Sequence, residues 1–161
     1  MRCIGIGNLY RRDDGAGLYA AQRLRLESLP NLCVAEHDGE GASLLDAIAG
    51  EDAVILIDAL RSGARPGTIR QFCVQDQSLP TDSFGRSTHA FGVAEAIELA
   101  RSLGQLPPSC MVYGIEGACF DWGMGLTPAV EKAARRLTNT IVRRLRDDHA
   151  ARLSSQFRSS E

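Results

Sequence analysis

The chain lacks a hydrophobic run long enough to cross a bilayer, a basic stripe, a close cysteine pair and any internal repeat. Its longest strongly apolar stretch, Ala53-Val54-Ile55-Leu56-Ile57, is far short of the roughly 20 residues a membrane helix needs. Eighteen basic residues are interspersed with 20 acidic ones, for a net charge of −2. No cluster offers a footprint for nucleic acid, and no basic amphipathic segment suits a membrane surface. The amino end, Met1-Arg2-Cys3-Ile4-Gly5-Ile6-Gly7, lacks the longer apolar region and small-residue cleavage site of a secretory signal, so a cytoplasmic address is expected. Five cysteines (Cys3, Cys33, Cys73, Cys110, Cys119) stand far apart, and none forms a C-x-x-C pair. An odd, scattered set predicts reduced thiols. Four of them fall in predicted strands, where cysteine is expected to be a small buried hydrophobe. No Ser/His/Asp arrangement is evident, and no cysteine has an assigned base nearby, which argues against a covalent nucleophile.

What is present fits one globular domain of 161 residues, long enough to bury a core without staples. Strands are predicted at about residues 2–6, 31–37, 53–58, 68–75 and 109–115, and helices at about 14–27, 41–49, 89–103 and 127–146. In the last helix Val130, Ala133, Ala134, Leu137, Ile141 and Leu145 recur at three- and four-residue steps, so one stripe faces a core. Alternating strands and helices predict a mainly parallel sheet with helices on both faces. The connection Leu60-Arg61-Ser62-Gly63-Ala64-Arg65-Pro66-Gly67 is too short for a crossover helix, so strand four should be an antiparallel edge. The domain is placed at residues 1–146, and residues 147–161, including His149, are expected to form a polar, frayed tail.

Ligands of open α/β sheets gather outside the carboxyl ends of the parallel strands. The first strand ends at Gly5-Ile6-Gly7-Asn8 and leads to Asp13-Asp14-Gly15, and the third closes on Asp58. A helix feeding a parallel strand five must begin at the same edge, which places Thr88, His89 and Ala90 there. The polar loop 76–88 has 13 residues, which can span up to about 43–47 Å and return the chain from the antiparallel strand. Two carboxylates and an imidazole would then converge as a three-ligand metal face with open positions. At a helix amino end His89 would stay neutral, able to donate a lone pair. Each residue also has a plainer role: Asp14 as a helix N-cap, Asp58 as a turn anchor, His89 in a first helical turn. His37 is a weaker spare ligand, and Glu116 and Asp121 flank the loop after strand five, where a rim role competes with a solvated loop. The glycines of Gly5-Ile6-Gly7-Asn8-Leu9-Tyr10 begin like a dinucleotide fingerprint, but Tyr10 stands where the third glycine is needed.

Taken in order, Gly5-Ile6-Gly7-Asn8 through Asp13-Asp14-Gly15-Ala16-Gly17, Ile55-Leu56-Ile57-Asp58-Ala59, Ser87-Thr88-His89-Ala90-Phe91-Gly92, Gly114-Ile115-Glu116 and Gly123-Met124-Gly125-Leu126-Thr127-Pro128 resemble the blocks of the hydrogenase maturation proteases. The resemblance spans about residues 1–145. It implies a three-layer α/β/α sandwich of the phosphorylase/hydrolase-like kind, with a five-stranded mixed sheet in which strand four is antiparallel. It also implies an endopeptidase that trims the carboxyl-terminal extension of a nickel-loaded NiFe-hydrogenase large-subunit precursor. Asp14, Asp58 and His89 would be the metal and catalytic residues, and the nickel would come from the substrate, with no organic cofactor. Arg11 and Arg12 make the first loop basic, a small departure outside the ligand set. A non-catalytic assembly factor recognising the same nickel centre is the rival reading, and a peptidase acting on another protein is a third.

Overall fold

The structure, a computed structural model, describes residues 1–84 and 92–158, with side chains described as far as residue 151. Five strands form one sheet: β1 (Arg2–Ile6), β2 (Cys33–His37), β3 (Ala53–Leu60), β4 (Ile69–Cys73) and β5 (Ser109–Glu116), in the order β2-β1-β3-β5-β4. The pairs β1/β2, β1/β3 and β3/β5 are parallel, and β4 runs antiparallel to β5 at the edge. Helices α1 (Ala16–Leu26) and α4 (Pro128–Arg158) cover one face, and α2 (Gly41–Ile48) and α3 (Val93–Ser102) the other. This is the expected three-layer sandwich with its single antiparallel strand.

The apolar alternation along β3 builds both cores. Val54, Leu56 and Leu60 pack under α2 and α3, while Ile57 and Ala59 pack under α1 and α4. In α4 the predicted stripe of Val130, Ala133, Ala134, Leu137 and Ile141 is buried against the second core. Two of the five thiols, Cys3 and Cys110, are core atoms, and burial pushes both up to about 12. Cys33 lies on the edge strand and is exposed, while Cys73 and Cys119 are half-buried. The expectation that strand cysteines are buried therefore holds only where a helix covers the strand.

The sharp turn before β4 is held by Glu116, which is 2 % exposed. Its carboxylate accepts from the backbone N–H groups of Ser62 and Gly63 (both 2.8 Å) and from the Ser62 hydroxyl (2.7 Å). Glu116 is thus the buried clasp of the connection from β3 to β4, and the solvated-loop reading is corrected. After β4 the chain returns to the carboxyl edge as predicted. Arg61 N–H donates to Ser83 O at 2.8 Å, Leu60 bridges Phe84, and Phe84 meets Phe72 edge-on at 5.5 Å between centroids.

Three boundaries differ from the sequence reading. Strand β3 continues two residues past Asp58, paired throughout with β5. Helix α3 begins at Val93, where the Glu95 carboxylate accepts from Gly92 N–H at 3.1 Å. The helix start expected at His89 lies outside the described residues. The stretch read as a tail after residue 146 continues α4 to Arg158, and His149 is half-buried on it.

The amino end of α1 sits tightly on the sheet. A Cβ on Gly17 would strike the carbonyl oxygens of Ile57 and Ile6, and one on Gly7, whose φ is +142°, would strike the Asp14 carbonyl. Gly17→Ala is therefore expected to cost about 3 kcal/mol or more, because backbone on two strands must shift. Gly50→Ala has open space and only an unfavourable φ of +73° to contend with, and should cost about 1 kcal/mol. Urea unfolding of the two variants measures the contrast, and equal losses would refute it.

Candidate active site

The loop after β1 folds into a single 3-10 turn, Arg12–Gly15, before α1 begins. The turn gives its two adjacent acids opposite surroundings. Asp13 is fully buried. Its two oxygens accept from the backbone N–H groups of Ala118 (2.8 Å), Cys119 (3.0 Å) and Thr127 (2.7 Å) and from the Thr127 hydroxyl (2.9 Å). Asp13 therefore ties the first loop to the loop between β5 and α4. Backbone bonds complete the seam: Arg12 N–H to Gly123 O at 2.9 Å, Gly123 N–H to Tyr10 O at 2.9 Å, and Asp13 N–H to Cys119 O at 3.0 Å.

Asp14 makes no helix cap, because α1 is capped at Gly15 without a side-chain bond. It lines a cavity of about 590 Å³ at the carboxyl edge of the sheet, and Asp58 lines the same cavity. Two of the three residues predicted to converge are thus brought together. Phe84 and Gly92, which flank the segment holding His89, line the cavity as well. His89 lies outside the described residues, and among those described no three His, Cys, Asp or Glu side chains form a group able to hold an ion. His37 is engaged locally: its Nδ1 accepts from Gly39 N–H at 2.9 Å. Asp121 is exposed, with its carboxylate 3.5 Å from Cys119 Sγ.

Asp58 is 8 % exposed. Burial, with the Asp14 charge adding to it, pushes its carboxyl up from 3.8 to about 8, against the 2.7 Å bond from Ala59 N–H, which favours the anion. Asp14 is also raised, chiefly by burial, and held back by the Asn8 backbone N–H and the Arg11 guanidinium. At neutral pH the pair shares its space by keeping a proton. A cation between them would favour release of that proton and relieve the repulsion, so the donor set fits a divalent ion.

The same cavity is lined by Arg11, Arg61, Phe120, Trp122 and Tyr10, of which Arg61, Trp122 and Tyr10 are exposed. Arg11 donates through Nε and Nη2 to Phe120 O at 3.3 and 3.1 Å, and its guanidinium lies 5.4 Å from the Trp122 ring centroid. Arg61 lies 5.3 Å from the Phe120 centroid. The sequence reading missed this rim and the role of Asp13. The acidic doublet was the available signal for Asp13, but only the fold shows that the first acid faces inward.

An α/β sandwich with a paired-carboxylate cavity at its carboxyl edge has the architecture and chemistry of a hydrolase site. Comparison with known proteins narrows this. The family model described as HycI, hydrogenase maturation protease, matches residues 21–144. A hydrogenase expression/formation protein, HupD of Thiocapsa roseopersicina, is 30 % identical over 159 residues, covering 90 % of this chain and 71 % of its own length. The hydrogenase 2 maturation protease of Escherichia coli is 26 % identical over 148 residues, 89 % of each chain. Among solved structures, the hydrogenase-maturating endopeptidase HybD of Escherichia coli superposes with a TM-score of 0.74 at 27 % identity, covering 91 % of this chain and 92 % of that one. The chain belongs to the hydrogenase maturation protease family.

Two outcomes are expected from this geometry. The raised pKa of Asp58 means the folded state holds its proton where the unfolded chain has lost it. Its contribution to stability is full below about pH 4 and is lost as pH rises through about 8. Asp58→Asn, which can keep the Ala59 bond through its amide oxygen, should match the parent near pH 4. It should exceed it by a few kcal/mol near pH 9. Urea titrations at the two pH values test this, and a pH-independent difference would refute it. Asp13→Asn should cost roughly 2–4 kcal/mol, since its amide nitrogen must face an N–H donor whichever way it turns. Thermal unfolding within about 1 °C of the parent would refute that role.

Proposed function

We propose that this chain is an endopeptidase that removes the carboxyl-terminal extension from a nickel-loaded NiFe-hydrogenase large-subunit precursor in the cytoplasm. The observation that carries the reading is the Asp14–Asp58 pair in one edge cavity. Their raised pKa values mark a site that welcomes a cation. Phe84 and Gly92 on the same cavity wall support His89, between them in sequence, as the third donor. The relatives named for hydrogenase maturation supply the substrate class. No described helix is long and apolar enough to cross a membrane, which accords with a substrate met in the cytoplasm.

On this reading the nickel is the substrate's own, gripped by Asp14, Asp58 and His89, and no organic cofactor takes part. Seating the metal centre positions the peptide bond beyond it. A water is then activated either by the ion, which lowers its pKa, or by a carboxylate acting as general base.

Mixing the protein with nickel-loaded precursor and weighing the products tests this. Loss of a carboxyl-terminal peptide is expected, with no loss from nickel-free precursor. Asp58→Ala and His89→Ala should slow processing by at least about a hundredfold while the protein stays folded. Normal cutting by both variants would remove them from the mechanism. Stable association with no change of mass would favour the non-catalytic assembly factor instead.

A further inference from the structure

The cavity is lined by charges of both signs, the acids Asp14 and Asp58 and the guanidinium groups of Arg11 and Arg61. Asp58 is buried, Asp14 and Arg11 are half-buried, and Arg61 is exposed. Among the described residues neither arginine forms an ion pair within 4 Å, but Arg11 acts electrostatically on Asp14, so Arg61 is the guanidinium without a carboxylate among them. Each is held flat by an aromatic ring, Trp122 under Arg11 and Phe120 under Arg61. The aromatic side chains are also unusually open: Trp122 is 75 % exposed and Tyr10 63 %, with Met124 at 68 % beside them. An exposed apolar surface at a cavity mouth marks a place where another molecule lies. A guanidinium with no carboxylate of its own, pre-oriented by stacking as Arg61 is on Phe120, is suited to receive one.

We propose that the rim formed by Arg11, Arg61, Phe120 and Trp122 binds an extended segment of the substrate that carries an acidic side chain between apolar residues. This rests on the reading of the cavity as the site of cutting, and names what lies across its mouth. The acid pairs with Arg61, while its apolar neighbours cover Trp122 and Phe120. An internal acidic residue fits better than a chain end, because an endopeptidase holds peptide on both sides of its cut. The arrangement also sets direction. A cationic metal centre is drawn to the carboxylates and the acidic segment to Arg61, so the precursor enters one way round.

The chain has one tryptophan, and it is Trp122. Intrinsic emission therefore reports on the rim itself and needs no turnover. The probes are acetyl-Ala-Val-Glu-Leu-Ala-amide, the same peptide with Gln for Glu, and the Gln peptide with a free carboxyl end. The Glu peptide should shift Trp122 emission and bind about two- to fivefold more tightly than its Gln counterpart, the scale of an exposed ion pair. Arg61→Gln should erase that difference. Added salt should weaken the Glu peptide alone. Equal affinities for Glu and Gln peptides in the parent protein, or no emission change with either, would overturn the proposal. If the free-ended Gln peptide bound as well as the Glu peptide, the rim would be a reader of chain ends, and the internal-segment assignment would be wrong. These affinities stand apart from cutting. An uncut precursor with a preserved Glu preference defeats the protease reading, whereas a processed precursor without that preference defeats only the rim.

Discussion

The seating of the first helix on the ends of β1 and β3 is the contact on which the site depends. Gly17 lets the helix backbone touch the Ile6 and Ile57 carbonyls, and Gly7 turns the chain out of β1 with its Cα against the Asp14 carbonyl. Any side chain at these positions would lift the turn off the sheet. Asp14 would then lose its place in the cavity that Asp58 lines from β3. The glycines that begin like a nucleotide fingerprint therefore serve close packing, with no helix amino end directed at a phosphate. What they bring to the sheet edge is a carboxylate, placed beside another carboxylate.

Two neighbouring acids show how the fold assigns opposite tasks to one residue type. Asp13 has both oxygens occupied by N–H and O–H donors and is wholly enclosed. It locks the first loop to the loop after β5, and the backbone seam between Tyr10 and Gly123 follows from that lock. The rim of Arg11, Phe120 and Trp122 is assembled from those same two loops. Asp14 faces the other way, into the cavity, where burial raises its pKa. Glu116 repeats the first pattern at the connection before β4. A buried acid that is fully bonded organises loops, and a buried acid left short of donors is available for chemistry.

Much of this was legible in the sequence. Alternating elements and a short connection before residue 68 were enough for a parallel sheet with one antiparallel edge strand, and the carboxyl-edge rule then placed Asp14 and Asp58 together. The boundaries were less legible. Asp58 looked like a strand end because its polarity interrupts an apolar run, yet β3 continues to Leu60 through pairing with β5, which local pattern cannot reveal. The start of α3 was read four residues early, because Gly92 interrupts a pattern that could otherwise continue. The bonds of Asp13 and Glu116 join residues 50 or more positions apart, and no local spacing signals them. The rim was hidden for the same reason: Arg11 and Arg61 reach aromatic rings more than 50 positions away.

A site built this way works against the stability of the fold that carries it. Enclosing Asp58 in a largely apolar strand end, with Asp14 nearby, raises the free energy of the ionised folded state. The penalty grows as pH rises, and it is absent from the unfolded chain, where both acids are solvated. A neutral side chain at position 58 would relieve it. On the proposed reading a cation would do the same, since it would satisfy both carboxylates at once. The attraction such a cation would feel and the instability of the ionised pair have one origin, the burial of Asp58 in low-dielectric surroundings. Opening the site would weaken both.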